Sequence, residues 1–216
     1  MAIVLYYGSG SPYAWRVQLA LEHKALPYER KILSFSAGDT RKPEFVALNP
    51  RHRVPTIVDG DFVLYESNAI VEYLDEAYPG RGQPLFPGDT KNRALVRRLV
   101  MEADNYLREA TDPLIDYAFY TKPEERDPAK LPELRKAVTD EYAMLTRSMR
   151  GPYFAGDLSA ADFALFPFVA FMNRCEVKFP DLGADAMLTP ELRAWKARIL
   201  TLPYYEKTVP PHWKQS

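Results

Sequence analysis

The chain has 216 residues and carries 28 Lys and Arg against 29 Asp and Glu, a formal net charge of -1. Its single Cys excludes an intramolecular disulfide, and one Cys with three His cannot readily furnish the four ligands of a structural zinc site. Balanced charge gives no overall pull toward nucleic acid or an anionic membrane, and 47% hydrophobic with 26% charged residues is a globular rather than a disordered composition.

In chain order, Met1–Tyr7 lacks the basic region and long apolar stretch of a secretory signal. Ile3-Val4-Leu5-Tyr6 is a continuous apolar run, as expected of a buried strand. Gly8-Ser9-Gly10-Ser11-Pro12 breaks it. Ser11 suits an N-cap, and Pro12 suits a first helical position, where its missing N–H has no intrahelical acceptor. Tyr13, Val17, Ala20 and Leu21 follow at helical spacing, and Leu26-Pro27 ends the helix. Tyr28 to Leu33 alternates as a second strand. Residues 3–33 thus read as a β-α-β unit with parallel strands.

A helical or irregular segment is expected around Glu44–Leu48. Val54 to Val58 reads as a third strand, Asp59-Gly60-Asp61 as a hairpin turn and Phe62 to Tyr65 as a fourth strand. Glu66-Ser67-Asn68 opens a helix with Ile70, Val71, Leu74, Ala77 and Tyr78 on one face. The Pro/Gly-rich stretch 80–89 reads as a linker. Beyond it the spacing predicts helices over 92–120, 131–150, 159–174 and 190–200, with no convincing strand. The predicted organisation is therefore a mixed domain over 1–79, a linker over 80–89 and an all-helical domain over 90–216. Its longest apolar run, Phe163 to Met172, is too short to span a bilayer and is interrupted by Pro167, so the chain reads as a soluble cytoplasmic protein.

Within the helical part, Ser159 and Asp162 have the spacing of a capping box, and Leu158 and Phe163 that of a hydrophobic staple. The helix they open is apolar nearly all round, so a core role is expected for it, and a structural rather than catalytic one for Asp162. Cys175 reads as a small buried hydrophobe.

Four short motifs stand in order: Ser11-Pro12-Tyr13-Ala14-Trp15-Arg16-Val17, Asn49-Pro50-Arg51-His52-Arg53-Val54-Pro55, Tyr65-Glu66-Ser67-Asn68-Ala69-Ile70 and Leu158-Ser159-Ala160-Ala161-Asp162. Together they resemble the soluble glutathione S-transferases over essentially the whole chain, and the N-terminal motif is most similar to the serine-type classes (phi, tau, theta and zeta). The resemblance implies a fold: an α/β thioredoxin-like N-terminal domain (βαβ-ββα) followed by an all-α C-terminal helical bundle. It also implies an activity, the conjugation of the glutathione thiolate to small hydrophobic electrophiles. Glutathione would be the co-substrate, with no metal, no nucleic acid and no membrane involved, and the chain would form a homodimer.

Such an enzyme must hold glutathione as a thiolate. A free thiol has a pKa of about 8.5, so only about 3% is ionised at neutral pH. A shift of about two units raises that to about 75% and corresponds to about 2.7 kcal/mol of preferential stabilisation of the anion. A hydroxyl aimed at the sulfur near a helix N-terminus is a suitable source. Ser11 is the implied hydroxyl, with a plain N-cap as its competing reading. Ser9, or Tyr6 and Tyr7 as in the tyrosine-type classes, are the alternatives. The resemblance further implies a cis bond at Val54-Pro55, leaving Val54 to pair with the cysteinyl backbone of the peptide. Glu66 and Ser67 would hold the γ-glutamyl end at a helix start. Arg41, His52 and Arg53 would meet the glycyl carboxylate, with Lys42 read as solvated surface charge. Tyr13, Phe35 and Tyr106 are candidates for the electrophile site, expected between the domains.

Other signals fail. Gly8-Ser9-Gly10 lacks the third glycine of a dinucleotide fingerprint, since Tyr13 stands there. The sequence contains neither a nucleophile elbow nor a phosphate-binding loop. Arg97-Arg98 reads as an exposed helix face. Two functional classes compete with conjugation: a non-enzymatic regulator or scaffold on the same fold, and a glutathione-dependent isomerase, peroxidase or ether-cleaving enzyme. Ser-Pro-Tyr where the zeta isomerases carry Ser-Ser-Cys counts against the isomerase.

Overall fold

A computed structural model describes residues 2–214. The chain forms two compact units: one runs through Pro87 and resumes at Pro203, and the other is Gly88–Leu202.

The first unit is built on a four-stranded sheet in the order β2-β1-β3-β4. β1 (Ile3–Tyr7) pairs in parallel with β2 (Tyr28–Ile32), Ile3 facing Tyr28 and Tyr7 facing Ile32. On its other side β1 runs antiparallel to β3 (Thr56–Asp59), which turns at Gly60 into the antiparallel β4 (Phe62–Tyr65). Gly60 has φ 65°, a left-handed conformation that glycine adopts at no steric cost. Ile3, Leu5 and Tyr7 alternate inward on the central strand, as a period of two requires. The edge strand β2 instead exposes Glu29, Arg30 and Lys31, charges that discourage pairing with another chain.

Helix α1 (Pro12–His23) completes the predicted crossover, and Val17, Leu19, Ala20 and Leu21 on it are fully buried. α2 (Pro43–Val46) is a single turn that anchors Phe45 in the core. α3 (Ser67–Ala77) buries Ile70, Val71 and Leu74. Each such aliphatic side chain contributes about 1.5–3 kcal/mol when withdrawn from water.

Residues 80–87, read as linker, are docked on the first unit. Leu85 and Phe86 are buried, the Leu85 amide donates to Asp75 Oδ1 at 2.8 Å, and the Gln83 amide donates to the His23 carbonyl at 3.1 Å.

The second unit is helical. The segment predicted as one helix over 92–120 comprises α4 (Thr90–Glu102), a π-helical turn (Ala103–Leu107), α5 (Arg108–Ile115) and a second π turn (Asp116–Tyr120). α6 (Leu131–Arg147), α7 (Ala160–Lys178), α8 (Ala184–Met187) and α9 (Pro190–Leu200) follow. α7 runs one turn beyond its predicted end and buries every residue from Ala160 to Val169. Asp162 is wholly enclosed at its start. One carboxylate oxygen accepts from the Ser159 amide at 2.9 Å and the Ser159 hydroxyl at 3.1 Å. The other accepts from Trp195 Nε1 at 2.8 Å and the Phe154 amide at 3.1 Å. Burial pushes this carboxyl up to about 6 against the pull of those donors. It ties the start of α7 to α9, the structural part expected of it. Cys175 is buried as expected, and burial pushes its thiol up to about 12.

The expectation of one helical domain over 90–216 needs correcting at its end. The segment from Pro203, including α10 (Tyr205–Thr208), folds with the first unit. Contacts of Trp15 explain why: its Nε1 donates to Thr208 Oγ1 at 3.0 Å, and its ring meets the Trp213 ring edge-on at 5.2 Å. Tyr204 OH lies 2.8 Å from His23 Nδ1, tying the far end of α1 to the same segment.

Candidate functional site

Strand pairing brings three loops to one end of the sheet. Tyr6, near the end of β1, faces Thr56, the first residue of β3, and Thr56 also faces Tyr65, the last residue of β4. The turn after β1, the approach to β3 and the start of α3 therefore meet there.

Ser11 follows β1 and caps α1. Its backbone is extended (φ -70°, ψ 118°), and its Oγ accepts from the Ala14 amide at 3.3 Å. The two readings of Ser11 are thus compatible. Capping uses a lone pair, and the hydroxyl still has its proton to donate. The half-buried oxygen sits at the positive end of a twelve-residue helix dipole. Of the alternative hydroxyls, Tyr6 has its ring tilted against Phe45 at 5.9 Å and Tyr7 is buried in the sheet. Ser9 Oγ is 2.6 Å from His212 Nδ1.

The approach to β3 is organised by Asn49, which is buried. Its Nδ2 donates to the Arg53 carbonyl at 2.8 Å and to Thr56 Oγ1 at 3.0 Å, and its Oδ1 accepts from the Arg51 amide at 2.9 Å. The Val54-Pro55 peptide is cis, as the resemblance implies. β3 starts at Thr56 rather than at Val54, because Pro55 has no N–H for the ladder. That leaves Val54 outside the sheet pairing. His52 has φ 55° and its Nδ1 lies 3.2 Å from the Thr40 carbonyl, which links this loop to the turn Asp39–Arg41. Arg41, His52 and Arg53 all reach solvent. Lys42 is held by Asp39 at 2.7 Å, so it is an ion-paired residue rather than simply a solvated one.

At α3, Glu66 and not Ser67 occupies the capping position, and the Glu66 side chain makes no capping bond. Ser67 is the first helical residue and is buried, so a mere capping role for it falls away. Glu66 is exposed with φ 71°, a conformation disfavoured for a residue with a Cβ and of the kind concentrated at binding sites. Beneath it lies Arg16, only 1% exposed. Its Nη1 donates to Ser67 Oγ at 3.4 Å and also to Asn68 Oδ1. Backbone amides of a helix start above a buried guanidinium make a setting for a carboxylate.

Tyr13 and Phe35 belong to this unit. Tyr13 carries the Arg16 guanidinium 5.1 Å from its ring centre. Phe35, 56% exposed, lies directly on Gly8: a Cβ there would come within 2.2 Å of its ring. Tyr106 lies in the first π turn of the helical unit and is 59% exposed. Among the described residues, no three His, Cys, Asp or Glu side chains gather as a metal ion would need.

Sequence reasoning missed Arg16, Asn49 and His212 as contributors. A charged residue on the apolar face of α1 was a usable signal for Arg16. Asn49 opens the motif that ends at Val54-Pro55, but its residue type alone gave it no role. His212 gave no signal, since its contact with Ser9 spans 203 positions.

The chain is similar to known proteins along its length. Residues 10–77 match the family model for the glutathione S-transferase N-terminal domain, and residues 111–203 match the one for the C-terminal domain. Glutathione S-transferase A of Pleuronectes platessa is 29% identical, over 99% of this chain and 94% of that protein. Glutathione S-transferase 1 of Dianthus caryophyllus is 35% identical over 76% of this chain and 74% of that protein. The crystal structure of a glutathione S-transferase from the Antarctic clam Laternula elliptica superposes with a TM-score of 0.86 at 34% identity, covering 100% of this chain and 95% of that one. With both domain models matched in order and a relative above 30% identity along most of its length, the chain belongs to the glutathione S-transferase superfamily.

Proposed function

We propose that this transferase binds glutathione on the first unit and adds its thiolate to small hydrophobic electrophiles. Val54 pairs with the cysteinyl backbone. Ser67 and the α3 amides receive the γ-glutamyl carboxylate, while Glu66 meets the ammonium. Arg41, His52 and Arg53 face the glycyl carboxylate. Ser11 donates its O–H to the sulfur. The thiol proton leaves to solvent, the sulfur forms a bond to the electrophilic carbon, and the leaving group departs with its electron pair. Tyr13 and Phe35 contribute the apolar side of the electrophile site on this unit.

The observation that carries this reading is the capping geometry of Ser11, which orients the oxygen at a helix N-terminus and leaves its proton available. Calorimetric titration with glutathione, together with turnover of a generic aryl halide by the intact protein and by Ser11→Ala, tests it. Heat of binding with retained turnover in the wild type and slowed turnover in the variant is expected. Absence of any binding heat would favour the scaffold reading and contradict ours.

The same proposal covers a cytoplasmic, detoxifying homodimer. Exposed Phe62 on β4 and Met101 on α4 lend apolar surface to such an assembly. Sedimentation equilibrium reads this directly, and a single-chain mass at micromolar concentration would contradict it.

A further inference from the structure

The segment from Pro203 reaches the first unit on both sides of Ser11. On the helix side, Thr208 and Trp213 hold Trp15 through the 3.0 Å bond and the edge-on ring contact. Thr208 and Trp15 are 1% and 3% exposed, so this side is a buried anchor. On the strand side, His212 Nδ1 sits 2.6 Å from Ser9 Oγ, in an exposed position. The imidazole also lies against Gly10, where a Cβ would come 3.0 Å from His212 Cε1. A 3-10 turn, Pro211–Trp213, presents the imidazole and the indole together, closed by the Trp213 amide donating to the Pro210 carbonyl at 2.9 Å.

The turn so clasped is rich in glycine. Gly8 and Gly10 flank Ser9, and Gly10 has φ 85°. One backbone bond closes it, from the Ser11 amide to the Gly8 carbonyl at 3.1 Å. Glycines carry the largest backbone entropy to lose, so an outside contact has most effect there. Ser9 and Ser11 are separated by a single residue, so where Ser9 is held sets the path by which the chain enters the Ser11 cap, whose oxygen the Ala14 amide then holds.

We infer that His212 is a positioning residue for the thiolate-stabilising hydroxyl: through its bond to Ser9 it fixes the Gly8–Ser11 turn and thereby the aim of Ser11 Oγ. This rests on Ser11 serving the sulfur. The glutathione-binding groups at Val54 and Ser67 lie on other loops, so the bond acts on turnover rather than on affinity.

The experiment uses the full chain with glutathione and an aryl halide. It compares wild type, H212A, H212N, S9A, S9A/H212A and S11A for kcat, KM for glutathione and the ultraviolet absorbance of bound thiolate against pH. H212A is expected to lower kcat about 2- to 10-fold, the range set by one net hydrogen bond. KM for glutathione stays nearly constant, and the thiolate signal appears at higher pH. H212N, whose amide can occupy the Nδ1 position, recovers most of the loss, and S9A/H212A is no slower than S9A. Should H212A fold poorly, S9A breaks the same bond from the other side and must show the same thiolate shift. Full kcat and an unshifted thiolate titration in H212A, with S11A impaired, would overturn the inference alone. Full activity in S11A would overturn the reading of Ser11 and this inference with it.

Discussion

The buried guanidinium of Arg16 donates to Ser67 Oγ at 3.4 Å, joining the helix that carries Ser11 to the helix start proposed to hold the γ-glutamyl carboxylate. One residue thereby links the two halves of the proposed glutathione site. Its charge cannot be spread by water, so an anion arriving at the first turn of α3 meets a field stronger than a surface arginine would supply.

Replacing Arg16 with Met keeps much of the packing and removes that charge. The expected outcome is a rise in the glutathione dissociation constant of roughly tenfold or more, the scale of one charge-assisted interaction. Turnover at saturating glutathione should fall less. Titration calorimetry checks the first part and steady-state kinetics the second. An unchanged dissociation constant would remove Arg16 from the binding account.

Gly8 offers a different kind of test, because the constraint there is steric. A methyl group at this position would meet Phe35 at 2.2 Å. Gly8→Ala should therefore displace the ring or the turn, costing about 1–3 kcal/mol of stability as overpacking does, and it should slow conjugation. Adding Phe35→Ala removes the obstacle. The double variant should regain most of the stability, which urea denaturation would read. If the two losses simply add, Phe35 is not what excludes a side chain from position 8.

Much of this arrangement was legible in the sequence because its signals are local. Ser11-Pro12 marks a helix start, Asp59-Gly60 a hairpin, and Val54-Pro55 the approach to a strand, read two residues ahead of the ladder that begins at Thr56. The Ser159–Asp162 capping box was equally readable, since its partners lie three residues apart. The contacts that escaped are long-range. Nothing near Trp15 announces Thr208 or Trp213, and nothing near Ser9 announces His212. The return of the segment from Pro203 to the first unit rests entirely on such pairs, so periodicity assigned it to the helical part.

His23 makes that returning segment sensitive to acid. Burial lowers its pKa from the usual 6.5 to about 4, against the opposing pull of the Pro84 carbonyl. The folded chain thus holds the imidazole neutral, bonded to Tyr204, while the unfolded chain takes up a proton below about 6.5. Its contribution to stability is complete above the unfolded value and is lost as pH falls from about 6.5 toward about 4, by on the order of 3 kcal/mol. His23→Gln should flatten that part of the profile in denaturant titrations at stepped pH. A variant with the wild-type slope would show that His23 is not the group responsible.

The central claim is that the Ser11 proton stabilises the sulfur of bound glutathione. The direct measurement is the pH at which the thiolate absorbance of glutathione bound at saturation reaches half its maximum, in wild type and in Ser11→Ala. The wild type should show it well below the free value of about 8.5. Loss of a hydrogen bond to a charged group, worth about 1.5–3 kcal/mol, should raise it by about one to two pH units in the variant. The two titrations falling on one curve, with glutathione bound equally in both, would contradict the account.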